Sequence, residues 1–115
     1  VCFYLPDQDY GRNRSEFVPF FAVEQVATTK GSLLFAKEEN CETVFIVSLR
    51  TETGYKVKFV PGLKHFPSGD DKQDVAAINK QIEELVSIAP EQYLWMHKRF
   101  KTRPNETDVS LYDKL

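Results

Sequence analysis

The sequence predicts an α/β fold, a short mixed sheet with flanking helices. Two strand-length apolar runs, Val1–Leu5 and Thr43–Leu49, and one strongly amphipathic stretch, residues 70–88, carry that prediction. The first run closes at Pro6, which drives the residue before it to extended backbone, and reads as a buried strand. Residues 6–15 form a polar loop. Phe17 to Phe21 is aromatic and broken by Pro19, which argues against a regular element there. Val23, Val26, Ala27, Gly31 and Leu34 share one face of a helix that ends at Lys37-Glu38-Glu39-Asn40. Thr43–Leu49 is rich in β-branched residues and fits an interior strand. Thr51-Glu52-Thr53-Gly54 is a turn, and Tyr55–Phe59 alternates as an outer strand does, so the two strands form a hairpin. Asp70, Asp71 and Asp74 crowd a helix N-terminus, where the macrodipole favours acids. Val75, Ile78, Ile82, Leu85 and Val86 make one apolar stripe behind them. Pro90 opens a short further helix at its first position, carrying Tyr93, Leu94, Trp95 and His97. Three strands make a thin sheet. Completion by sequence ahead of Val1, or by another copy of the chain, is therefore expected, and so is self-association through the surface left open.

A chain of 115 residues suffices for one domain with one modest core, placed at 1–104, followed by a polar tail at 105–115 in which Leu111 and Tyr112 are candidates for docking. Hydrophobic content of 42% and aromatic content of 13% exclude a disordered chain. A net charge of −2 argues against a nucleic-acid partner held by overall charge. Cys2 and Cys41 lack metal-ligand spacing and read as free thiols, so neither metal nor cofactor is expected. No apolar run approaches the roughly 18 residues of a membrane span. The chain starts inside a strand-like run with no Met and no basic leader, which suggests a portion of a longer protein.

The run Pro90–Pro104 is the most informative. It sets Tyr93, Trp95 and Phe100 among His97, Lys98, Arg99, Lys101 and Arg103. A solvated charge face does not need the aromatics, and a core helix does not tolerate the charges. The mixture suits a segment that packs on one side and meets an anionic or interfacial partner on the other.

Several stretches together resemble one family. Tyr4-Leu5-Pro6-Asp7-Gln8-Asp9-Tyr10-Gly11, Phe17-Val18-Pro19-Phe20-Phe21, Ala27-Thr28-Thr29, Phe66-Pro67-Ser68-Gly69-Asp70-Asp71 with Asn79, and the Pro90–Pro104 run are similar, in that order, to the C-terminal part of the lipid A biosynthesis acyltransferases, the late lauroyl- and myristoyl-transferases of Gram-negative bacteria. The resemblance implies a glycerolipid-acyltransferase-like fold and an enzyme at the cytoplasmic face of the inner membrane, held there by an N-terminal hydrophobic helix. It implies acyl-carrier protein as the acyl donor and a hydroxyl of a Kdo-bearing lipid A precursor as the acceptor. One departure stands out. Family members often carry prolines where this chain reads Val44-Phe45-Ile46-Val47-Ser48-Leu49-Arg50.

Acyl transfer from a thioester needs a general base and donors for the developing oxyanion. The resemblance implies a His-x4-acid pair for the base, lying ahead of the matched part. No catalytic residue is therefore assigned in this chain, and the chain alone is expected to be inactive. His65 and Asp70 share that spacing but sit at the Phe-Pro-Ser-Gly-Asp loop, with Pro67 and Gly69 breaking the backbone between them. They read as a loop histidine and a helix cap. His97 lies among cations and has no obvious orienting acid, so packing or phosphate contact suits it better than a base role. Asp7 and Asp9 follow the first apolar run, where open α/β sheets bind ligands. They are candidates to orient a catalytic group or a sugar hydroxyl, or to make an Asx-type turn. Arg12, with Arg14 beside it, and Arg50 are candidate contacts to a sugar phosphate. Arg99, Lys101 and Arg103 are candidate contacts to the anionic lipid head group or to an anionic membrane surface. Tyr93 and Trp95 are candidates for the bilayer interface. Phe17, Phe20 and Phe21 either line an acyl-chain path or pack in the core. A non-catalytic module that docks on anionic membrane is the alternative to the enzyme.

Overall fold

In the computed structural model, residues 1–38 and 40–113 are described. The elements run β1 (Ser15–Phe20), β2 (Val23–Thr29), α1 (Gly31–Ala36), β3 (Val44–Arg50), β4 (Tyr55–Pro61), α2 (Asp71–Val86) and a 3-10 turn (Pro90–Gln92). They form a small α/β domain. Its strands make two separate antiparallel pairs, β1 with β2 and β3 with β4, in place of the mixed sheet expected.

α2 organises the fold. The Asp70 side chain accepts the Gln73 amide at 3.1 Å as its N-cap, and Asp71 and Asp74 fill the first turn. The predicted stripe turns inward, with Val75, Ile78, Ile82 and Leu85 buried. Beyond Val86 the helix stops at Ser87, whose hydroxyl donates to the Glu83 carbonyl at 2.7 Å, and Pro90 then bars continuation. α2 packs across β1, with smaller contacts to β2 and α1. Phe20, Val26, Ile78 and Ile82 form one buried cluster, and Val18, Leu33 and Val75 a second. Burying a side chain such as Phe20 contributes about 1.5–3 kcal/mol.

Five expectations are corrected. Val1–Leu5 forms no strand: Phe3 is 73% exposed, and the segment is held instead by Tyr4, whose hydroxyl lies 2.9 Å from Thr29 Oγ1. The Tyr4 ring rests on Gly31, where a Cβ would overlap the phenol end, so a larger residue there displaces Tyr4. Phe17–Phe20 lies within strand β1. Pro19 is tolerated because it occupies the register shift between Val18 and Phe20, where no ladder donor is needed. Residues 23–29 form β2 and not a helix. Val26, Ala27, Thr28 and Thr29 are buried in succession against two layers, a run that a single sequence does not separate from a helix face. β3 is a strand but not an interior one. Its burial alternates, and Ile46 remains 46% exposed. Finally, the turn opened by Pro90 stops at Gln92, and Tyr93–His97 continues as irregular backbone.

The β3–β4 hairpin forms as predicted, with Arg50 opposite Tyr55 and the turn closed by Thr51 N donating to Gly54 O at 2.7 Å. It projects from the α2 layer. The radius of gyration is 15.0 Å, against roughly 13 Å for a compact chain of this length. The tail is tied back at Tyr112, whose hydroxyl accepts the Phe100 amide at 3.0 Å.

Candidate functional site

Two irregular segments, residues 6–12 and the strap 97–104, are fastened together at one end of the β1–β2 layer. Asp9 is the fastener. Its carboxylate, 5% exposed, accepts the Gly11 amide at 2.9 Å, the Thr102 amide at 2.9 Å and the Thr102 hydroxyl at 2.8 Å. Its own amide donates to His97 Nε2 at 2.9 Å. Such charge-assisted bonds to a buried carboxylate are the stronger kind. His97 therefore presents its Nε2 lone pair to a backbone amide, not to a substrate proton, as suits a packing role.

Arg99 follows in the strap and turns inward. It is 2% exposed, and it donates to Ala27 O at 2.7 Å and Thr28 Oγ1 at 3.0 Å. Its guanidinium carbon lies 5.1 Å from the centre of the Phe20 ring. Thr28 Oγ1 also accepts from Asn79 Nδ2 at 2.9 Å, so strap, β2 and α2 meet at one hydroxyl. Burial pulls the guanidinium below its usual range, opposed by Tyr93, Asp9 and Asp7. Tyr93 is pushed the other way: burial raises its phenol, and the charge of Asp7 adds to that. The Tyr93 hydroxyl donates to the Asp7 carbonyl at 3.4 Å.

Two concavities flank this clamp. The larger, about 850 Å³, is an apolar groove bounded by residues 1–7, β3 and α2, with Phe45, Phe66 and Ile82 in its walls and Asp7 and Tyr93 also lining it. The smaller, about 330 Å³, is polar and lies between Arg12 and the strap, where Lys101, Arg103 and Asn105 line it.

The structure brings together part of the predicted set. Arg12, Lys101 and Arg103 share the polar cleft, Asp7 faces the groove, and Asp9 lies buried between them. Arg99 is set into the core, away from any head group. Arg50 stands apart at the hairpin end, where its amide donates to Gln92 Oε1 at 2.7 Å and its carbonyl accepts from Gln92 Nε2 at 3.0 Å. Of the phenylalanines proposed for an acyl path, Phe20 is core, and none of the three borders the groove. His65 and Asp70 are exposed, and Asp70 caps α2 as expected. Sequence reasoning missed the Asp9–Thr102 clamp and the Asn79–Thr28–Arg99 network. The one signal for the latter was a polar Asn79 next to Ile78 on the buried face of α2.

The chain belongs to the bacterial lipid A biosynthesis acyltransferase family, whose sequence model matches residues 1–102. It is 46% identical over 106 residues to the lipid A biosynthesis palmitoleoyltransferase of Escherichia coli strain K12, covering 90% of this chain and 34% of that enzyme. It is 42% identical over 106 residues to the lauroyltransferase of the same organism, covering 90% of this chain and 35% of the relative. To the E. coli myristoyltransferase it is 31% identical over 102 residues, covering 88% and 32%. The chain thus spans about a third of the length of these relatives.

Proposed function

We propose that this chain is the C-terminal portion of an acyltransferase that moves a fatty acyl group from acyl-carrier protein to a Kdo-bearing lipid A precursor, at the cytoplasmic face of the inner membrane. The observation that carries this reading is the match to lipid A acyltransferases across residues 1–102. The geometry supports it. The groove is mostly apolar, as a hydrocarbon chain requires, and Asp7 among its lining residues is the group this reading assigns to a polar part of the substrate. Asp9 serves this site indirectly, by fixing the loop that carries Asp7 and Arg12 to the strap. This reading takes the general base from outside these residues, and the cap role of Asp70, the partner of His65 in a His-x4-acid spacing, is consistent with that.

A membrane-docking role belongs to the same reading and has its own support. Phe21, Leu94, Trp95 and Met96 are exposed next to Lys98, with Trp95 5.7 Å from Phe21, the mixture that sits at a lipid interface.

A chimera tests the enzyme reading. This chain replaces the corresponding third of the E. coli palmitoleoyltransferase, and the product is assayed with acyl-acyl-carrier protein and a Kdo-lipid A acceptor. Acyl transfer is the expected result. A folded, membrane-associated chimera with no transfer overturns the reading.

A further inference from the structure

Asp9 ties the loop of residues 6–12 to the strap twice, and the two ties differ in chemistry. Its carboxylate grips Thr102 with bonds at 2.9 and 2.8 Å, which hold for as long as the acid is ionised. Its amide donates to His97 Nε2 at 2.9 Å. A backbone N–H can only donate, so Nε2 has to be the bare nitrogen of a neutral imidazole, with the ring proton on Nδ1. A proton on Nε2 would set one N–H against another and cancel the bond. Asp9 is buried, which leaves its amide no ready water to turn to. Asp7 stands two residues before it and lines the apolar groove. The Asp7 carbonyl receives the Tyr93 hydroxyl at 3.4 Å, a long and weak bond, so the His97 bond is the firmer of these two backbone ties. Charged groups around the imidazole pull both ways. Asp7 and Asp9 on the loop favour a proton there, and Lys98, Arg99 and Lys101 on the strap oppose it. The phenols of Tyr93 and Tyr112 belong to the same cluster, around Arg99 and Lys98.

We propose that His97 is a positioning residue for the reaction: its neutral imidazole holds, through the Asp9 amide, the loop that carries Asp7 to the groove, and protonation of the ring releases that loop. His97 acts through Asp9 and touches no substrate. The sign follows from donor and acceptor. The tie is whole where the imidazole is neutral and is lost as pH falls. The carboxylate grip on Thr102 stays, so the loop loosens without leaving the strap. The proposal rests on the acyltransferase reading only for the substrate that Asp7 meets.

The first arm of the test follows amide shifts and hydrogen exchange of the whole chain from about pH 8 to about pH 5, the interval over which an ordinary imidazole charges. The Asp9 amide shift should move with the His97 ring titration. Corrected for the intrinsic exchange rate, Asp9 should lose protection by roughly tenfold on the acid side. His97→Gln supplies an acceptor that does not titrate, and should keep the protection while abolishing its pH dependence. His97→Phe should show the low protection throughout. His65→Gln removes the other histidine of the chain and should leave the response as it is. An Asp9 amide that ignores the His97 titration, or a His97→Gln chain that keeps the dependence, overturns the proposal. Should His97→Phe not fold, the wild-type titration and His97→Gln decide it. The second arm places the variants in the palmitoleoyltransferase chimera at neutral pH. His97→Phe should lower kcat/KM for the lipid A acceptor by roughly tenfold and leave KM for the acyl-acyl-carrier protein unchanged, and His97→Gln should recover most of that loss. An active chimera indifferent to His97→Phe overturns the positioning role and leaves the enzyme reading intact. An inactive chimera, with the His97–Asp9 response present in the isolated chain, counts against the enzyme reading, and the proton-dependent tie stands.

Discussion

The β1–β2 pair and the β3–β4 pair are both antiparallel hairpins rich in apolar residues, yet they are used in opposite ways. β2 buries four consecutive residues, Val26–Thr29, between α2 and the strap. The β3–β4 hairpin leaves Ile46, Val57 and Phe59 46%, 52% and 65% exposed on its outer face. The difference lies in what packs against each pair. The first is covered by a long amphipathic helix and pinned by two polar networks, while the second is covered on one side only. An apolar strand says what is able to be buried; its neighbours decide whether it is.

The strongest way to break this comparison is to cut into both hairpins equally. Phe20→Ala should lower stability by about 3–5 kcal/mol, read by urea unfolding, whereas Phe59→Ala should cost under about 1 kcal/mol. Similar losses would mean that the outer face is covered in solution. Next in size is the clamp. Asp9→Asn keeps one acceptor but sets an NH₂ against the Thr102 amide, and should cost about 1–3 kcal/mol. Its signature is faster hydrogen exchange at Thr102 and Gly11, with the hairpin unaffected. Protection unchanged at Thr102 would show that the strap is held by other contacts.

These two hairpins also mark what was legible in the sequence. The β3–β4 hairpin and α2 were readable because their signals are local: alternation, a four-residue turn, a capping Asp70 and one apolar stripe. β1 was hidden by Pro19, whose tolerance depends on a bulge that only the paired strand creates. The β2 segment reads as a helix face because burial on both faces erases the period of two. At the site, Arg12, Lys101 and Arg103 were legible as surface cations. Arg99 was not separable from them, because its inward turn is set by Thr28 and Phe20, more than seventy positions away in the chain.

A smaller effect concerns association. Val57→Lys with Phe59→Lys should leave the unfolding free energy unchanged to within about 0.5 kcal/mol. The pair should also reduce any self-association seen by light scattering. A monomer before and after mutation would show that the exposed face draws no second copy. The smallest effect is at the tail. Asp108 accepts the Asn105 amide at 2.9 Å, and that bond holds its carboxyl below the usual range, so the stability it contributes is present above its unfolded value of about 3.9 and is lost as pH falls through the lower folded value. Backbone exchange around Asn105 should quicken only under such acid conditions, and Asp108→Asn should abolish that dependence.

Gln92 adds a last point about β3. Its side-chain amide meets both the N–H and the C=O of Arg50, which is what a neighbouring strand would do on the edge facing away from β4. One rung of that open edge is thus occupied by a side chain. By the alternation of an antiparallel ladder, Val44, Ile46 and Ser48 are the remaining outward rungs. Gln92 therefore works as an end stop: a strand added to this edge has its reach fixed at residue 50 and its register counted back from there.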